Sequence, residues 1–163
     1  MIELELVGVR IEMPSSQPLV LLKEVAGERH LPIWIGTPEA SAIAISQQGM
    51  KPPRPLTHDL LCDVITALGR SISHVTISAV EDAVFFAKIV LDDGTTVDSR
   101  ASDALALAQR VKCTIWCAEA VLDEAGVLIS DADEDAPDPE EAEQEVQRFR
   151  AFLDDVDPED FAN

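Results

Sequence analysis

The chain has no tyrosine, two tryptophans and five phenylalanines in 163 residues. Proteins that hold single-stranded nucleic acid by stacking successive bases need a row of aromatic rings, and this composition has no material for one. Positive charge is also scarce. Twelve Lys and Arg stand against 31 Asp and Glu, for a net charge of −19. That excludes a basic module that binds nucleic acid by phosphate neutralisation. Cysteine is limited to Cys62, Cys113 and Cys117. An odd number with no CxxC spacing supports neither a disulfide framework nor a zinc ribbon. CTIWC alternates like a strand, which sets Cys113 and Cys117 roughly 13 Å apart at about 3.3 Å per residue. That is too far for a disulfide. Reduced thiols and a cytoplasmic protein are expected. The start, MIELELVGVR, has two acids in its first five residues and reads neither as a signal peptide nor as a membrane span. P-loop, GxGxxG, GxSxG and HExxH motifs are all missing.

Aliphatic residues are plentiful, and hydrophobic residues make up 47%, enough for a full core. The acidity is uneven. Residues 131–163 contain 14 acids and 2 bases, or −12, which leaves 31 − 14 = 17 acids and 12 − 2 = 10 bases, or −7, for residues 1–130. We therefore expect a folded body over 1–130 and an acidic extension over 131–163. The extension should begin disordered. Its segment PEEAEQEVQRFRAFLDDV would place Val146, Phe149, Leu153 and Val156 on one side of a helix, able to dock on the body or on a protein partner.

Within the body the pattern repeats. IELELVGVRI alternates as a half-buried strand, and PLVLLKEV and RHLPIWIG follow as a hairpin with Gly27 in its turn. TPEASAIAISQQG is then a helix, with Thr37 as N-cap and Gly49 as stop. Further on, SHVTISAV and VFFAKIVL are strands, Asp93-Gly94 is a turn, and DSR leads into the helix ASDALALAQRV. LPIWIGTPEASAIAISQQ resembles TVDSRASDALALAQRV at an offset of 64, pairing Glu39-Ala40 with Asp103-Ala104. The reading is a duplicated β-β-β-α unit in an α+β fold with one mixed or antiparallel sheet. A bridging helix, THDLLCDVITALG, begins at a Thr57 cap and ends before Gly69. Its stripe of Leu60, Leu61, Val64, Ile65 and Leu68 is expected to face the core. KCTIWCA and EAVLDEAG add a last strand and a short helix.

Two helix starts carry chemistry-bearing side chains. In RPLTHDLL, Arg54, His58 and Asp59 lie at or just before the bridging helix. A helix N-terminus beside an arginine attracts anions, and a histidine there is suited to general acid–base work near neutral pH. The plainer reading is a capped helix start, with Asp59 in favourable contact with the helix dipole. In VDSRASDA, Asp98, Arg100, Ser102 and Asp103 form the second cluster, with Ser99 or Ser102 as the expected cap. Asp98 and Asp103 also have the oxygen chemistry to share Mg²⁺ or Mn²⁺. Glu39, the repeat partner of Asp103, is either a relic of duplication or part of the same cluster. His30 and His74 fall in strands and read as structural or surface residues.

LPIWIG with Glu39-Ala40, RPLTHDLL, the strand ending in FFA and DSRASDALALAQR together resemble the bifunctional nuclease domain family over nearly all of residues 1–125. RPLTHDLL is the most specific piece. The resemblance implies an α+β fold, a dimer, and hydrolysis of DNA and RNA. The family pattern D-A-R-P-S-D-A is changed here at Ser99 and Ala101, while Asp98, Arg100, Ser102 and Asp103 are kept. Where the family often has Phe-Tyr, this chain has Phe85-Phe86. The expected site is therefore His58, Asp59, Asp98 and Asp103 for catalysis, Arg54, Arg100 and Ser102 for substrate, and Asp98 with Asp103 for a divalent ion. Nucleic acid is the expected substrate. The alternatives are a non-enzymatic dimeric binding or regulatory module with an acidic interaction tail, and a nucleotide-binding domain without chemistry. The phosphodiesterase reading requires residues 54–59 and 98–103 to meet in space.

Overall fold

The duplication visible in the sequence is present in the order of the elements. The computed structural model describes residues 1–129; the acidic extension and its expected helix lie outside them. The first unit is β1 (Ile2–Glu12), β2 (Gln17–Glu24), β3 (Arg29–Trp34) and α1 (Thr37–Gln47). After the bridging helix α2 (Thr57–Ala67) comes the second, β4 (Ile72–Glu81), β5 (Val84–Leu91), β6 (Thr96–Arg100) and α3 (Ala101–Val111). β7 (Thr114–Cys117), α4 (Glu119–Ala125) and the two-residue β8 (Val127–Leu128) complete the compact unit Met1–Leu128.

All strands join one eight-stranded sheet in the order β6-β5-β4-β7-β1-β2-β3-β8. Each unit is an antiparallel meander. β7 joins the two, antiparallel to β1 and parallel to β4. The sheet is therefore mixed, and the fold is α+β. Bulges between Leu6 and Gly8 in β1 and between Ile77 and Ala79 in β4 bend it, since an extra residue on one strand kinks the ladder. The bending is large enough that the ends of β3 and β6, far apart in strand order, line one cleft.

The core sits where aliphatic pairs from both units share a sheet face. Val20 lies opposite Ile33 and Leu22 opposite Leu31 in the first unit, and Val75 opposite Ile89 and Ile77 opposite Ala87 in the second. α3 is the central helix. Ala101, Ala104, Ala106 and Ala108 are buried, as are Leu105 and Leu107. Small side chains let a helix approach both the sheet and a neighbouring helix closely, and α3 packs on β4, β5 and α1.

Three local expectations are corrected. Thr37 and Thr57 are the first helical residues rather than caps, and Gly36 and Leu56 take the N-cap positions with extended backbone. At α2 the cap's work is done from inside the helix. The Leu56 N–H donates to Asp59 Oδ2 at 2.9 Å, satisfying a backbone donor from the third helical position. α3 likewise starts after Arg100, not after Ser99 or Ser102. Finally, α2 has no buried residue. It packs chiefly on α3, with Cys62 and Ile65 against the core, as expected for Ile65, while Leu60, Leu61, Val64 and Leu68 are exposed. The expected stops are present, with Gly49 and Gly69 at positive φ just past α1 and α2, where glycine ends a helix without Cβ strain.

Because Leu107 is fully buried on the central helix, Leu107→Ala is expected to lower unfolding free energy by about 3 kcal/mol. Urea unfolding followed by far-UV circular dichroism checks this.

Candidate functional site

Consecutive residues in the first turn of α2 hold it to α3, one at the first turn of α3 and one at the last. His58, the second residue of α2, places Nε2 3.0 Å from Asp103 Oδ1. Asp59, the third, accepts from Arg110 Nε through Oδ1 at 2.5 Å. The two sequence clusters therefore meet, 45 residues apart in the chain.

Asp103 is the centre of the first contact. Arg100 Nε donates to its Oδ2 at 2.6 Å and Arg100 Nη2 to its Oδ1 at 3.1 Å. The same guanidinium reaches across to the first unit, where Nη1 lies 3.1 Å from Glu39 Oε1. Glu39 and Asp103 occupy the third position of α1 and α3, so the repeat-related acids both hold Arg100. Gly36 makes room for this, because a Cβ there would collide with Glu39 Oε2. Burial pushes the Asp103 carboxyl up, but the Arg100 and His58 hydrogen bonds outweigh it and hold it below the ordinary aspartate value of 3.8.

His58 and Asp103 line a cleft of about 620 Å³ together with Thr57, Leu61, Val97 and Arg100. The His58 side chain is 14% exposed, and the guanidinium-bearing Arg100 side chain is 66% exposed. His58 Nδ1 has no hydrogen-bond partner among the described residues. The cleft thus presents one free imidazole nitrogen, a carboxylate fixing the other, and an accessible cation.

The remaining expected residues are placed as follows. Asp98 contributes to the wall of the cleft. It stands opposite Lys88 in the β5–β6 ladder, while its neighbour Val97 pairs with the buried Ile89. By strand alternation Asp98 shares a face with Arg100, two residues on, and both line the cleft. Ser102 is buried and lines a different cleft, beyond Arg100. Asp59 lines a third cleft with Arg110 and Cys62. Arg54 is exposed in the loop before α2 and does not line the His58 cleft. Arg110 was not legible as a site residue: nothing in local spacing links it to Asp59, 51 positions away. Thr57 was, but only as a cap.

The donor set does not fit a divalent ion shared by Asp98 and Asp103. Both Asp103 oxygens are already held by cationic or imidazole donors. Among the described residues no group of three or more His, Cys, Asp or Glu is arranged around a metal position. The thiols are not poised for nucleophilic work either. All three cysteines are unpaired. Burial pushes Cys62 and Cys113 up, and Cys117 to about 11, which disfavours the reactive thiolate. No helix among the described residues is long and apolar enough to cross a membrane.

Residues 20–130 match the family described as the bifunctional nuclease domain, and the chain belongs to that family. It is also 48% identical over 159 residues to uncharacterized proteins of Mycobacterium tuberculosis, from strains CDC 1551 / Oshkosh and ATCC 25618 / H37Rv, covering 98% of this chain and 97% of each relative.

Two outcomes follow for stability. Arg110 is 8% exposed at its side chain, but its partner Asp59 is 29% exposed and keeps the Leu56 N–H bond, so Arg110→Ala is expected to cost about 1–2 kcal/mol. Arg100→Ala, at an exposed pair, is expected to cost less than about 1 kcal/mol. Denaturant midpoints decide both. For Asp103, the folded carboxyl titrates below its unfolded value, so the unfolded chain binds the extra proton as pH falls. Its contribution is present above 3.8 and lost on acidification through the lower folded value. The stability gap between wild type and Asp103→Asn should therefore narrow as pH drops below that point, as chemical unfolding at several pH values will read.

Proposed function

We propose that the protein is a nuclease that hydrolyses phosphodiester bonds of DNA or RNA at the His58 cleft. The observation that carries this reading is the 3.0 Å contact of His58 Nε2 with Asp103 Oδ1 beside the exposed Arg100. Family membership supports it.

In the proposed reaction Arg100 binds a non-bridging phosphate oxygen and stabilises the charge that gathers at phosphorus. His58 Nδ1 faces the leaving oxygen. The charge balance indicates the order of events. Arg100, Glu39 and Asp103 sum to −1 when His58 is neutral and to zero when it is protonated. An anionic ester is better admitted by the imidazolium, so His58 acts first as general acid. Its proton passes to the leaving oxygen as that P–O bond breaks. Water forms the new P–O bond and gives up a proton that restores the imidazolium. Asp103 fixes the ring, a positioning role like that of the acid in a catalytic triad. No step in this scheme passes through a metal. Asp59 anchors α2 through Arg110, and Asp98 remains outside the reaction.

Activity on single-stranded DNA and RNA oligonucleotides tests this. His58→Ala is expected to lose about 10²-fold or more, with Asp98→Asn near wild type and EDTA without effect. Equal rates for wild type and His58→Ala would remove the reading.

We further propose that two copies associate through α2, in a reducing cytoplasmic setting that suits the free thiols. Leu56, Leu60, Val64 and Leu68 repeat every fourth residue and are all exposed, forming the ridge that a helix packs into a partner's groove. This surface also favours the second reading, a dimeric binding module. Leu60→Glu combined with Leu68→Glu is expected to halve the mass measured by light scattering during size exclusion. An unchanged mass would contradict association through α2.

A further inference from the structure

We propose that the cleft between the starts of α1 and α3, on the far side of Arg100 from His58, is a subsite for one nucleobase. What the base is attached to depends on the phosphodiester reading above. That a base binds rests on separate observations.

The cleft has a volume of about 250 Å³ and is lined by Trp34, Ile35, Glu39, Phe85, Arg100 and Ser102, among others. Residues 1–129 contain four aromatic side chains, Trp34, Phe85, Phe86 and Trp116. Two of them line this one cleft. Trp34 is 46% exposed, and its indole Nε1 donates to Glu12 Oε2 at 2.7 Å. That bond fixes the ring by its edge and leaves its surface in contact with solvent. A fixed, open aromatic surface is what a flat heterocycle stacks on.

Ser102 supplies the independent polar observation. It is 8% exposed, and its hydroxyl has no hydrogen-bond partner among the described residues. Ser102 lines the cleft, where a ring nitrogen or carbonyl would pair with its hydroxyl as donor or acceptor. Glu39 adds an acceptor for imino or amino N–H groups. Glu39 stands in the wall of this cleft beside Arg100, and its carboxylate favours a neutral heterocycle with N–H donors at that position. The volume suits a single base rather than a stacked run, which reconciles base recognition with a chain so poor in aromatics.

Arg100 lines both clefts. A base on Trp34 would place its phosphate at Arg100 and the bond to be broken toward His58. The inferred unit of recognition is therefore one nucleotide.

Isothermal titration of the full chain with the four ribonucleosides, their 5′-monophosphates, ribose 5-phosphate and inorganic phosphate tests this. At least one nucleoside should bind saturably, and its monophosphate at least about 10-fold more tightly than ribose 5-phosphate, a ratio within the range of one stacked base. Trp34→Ala and Ser102→Ala should each weaken that nucleoside by about 5-fold or more, while Trp34→Phe retains most of the binding. The shift of the Trp34 indole N–H signal on nucleoside addition gives a local readout in the folded wild-type chain. Equal binding of monophosphate and ribose 5-phosphate, or no response of the Trp34 signal to any nucleoside, overturns the subsite. Nucleoside binding with no cleavage of any oligonucleotide upholds the subsite and overturns the nuclease reading. Cleavage at an abasic tract as fast as at a normal one, with no nucleoside bound, does the reverse.

Discussion

The geometry of the site depends on one guanidinium held between two halves of a duplicated fold. Arg100 ends β6 and caps α3, and it reaches Asp103 on its own unit and Glu39 on the other. The curvature of the sheet brings these repeat-related acids close enough to share it. With Arg100 in place Asp103 stays ionised, and an ionised Asp103 seats His58. The pair is exposed, so its value is positional more than energetic. It sets where a cation, a carboxylate and an imidazole stand relative to one another.

The same contacts explain an oddity of packing. α2 has no buried residue and would be a weak element if apolar contact alone held it. His58 and Asp59 attach its first turn to Asp103 and Arg110 of α3, and the Asp59 carboxylate also satisfies the Leu56 N–H. Chemistry and scaffolding are thus divided between neighbours in the sequence. His58 turns to the open cleft, and Asp59 turns to the anchor. The apolar ridge of α2 is left free for a partner, which joins the proposed dimer directly to the placement of His58.

Much of this was legible in the sequence. The 64-residue offset, the glycine stops and the alternation of the strands all follow from local rules, and the fold agrees with them. RPLTHDLL and DSRASDA were recognisable as two charged helix starts, and they do meet. What local rules did not reveal lies in tertiary contacts. The exposure of Leu60 and Leu61 arises because α1 and α3 already pack on the sheet, and α2 is added chiefly against α3. Arg110 became relevant only once α3 lay beside α2. Thr37 and Thr57 looked like caps because threonine favours that position, yet an acid at the third helical position did the same work from within at α2. Asp98 lines the same cleft as Asp103, but both Asp103 oxygens are taken by Arg100 and His58, which spacing could not reveal.

The central claim is that His58 and Asp103 act as one unit on a phosphodiester. A double-mutant cycle on oligonucleotide cleavage, with His58→Gln, Asp103→Asn and the double variant, measures this most directly. If the residues act together, the double variant will be no slower than His58→Gln alone, because removing the imidazole leaves Asp103 nothing to position. Losses that simply multiply would mean that the two side chains act independently, and would contradict the account.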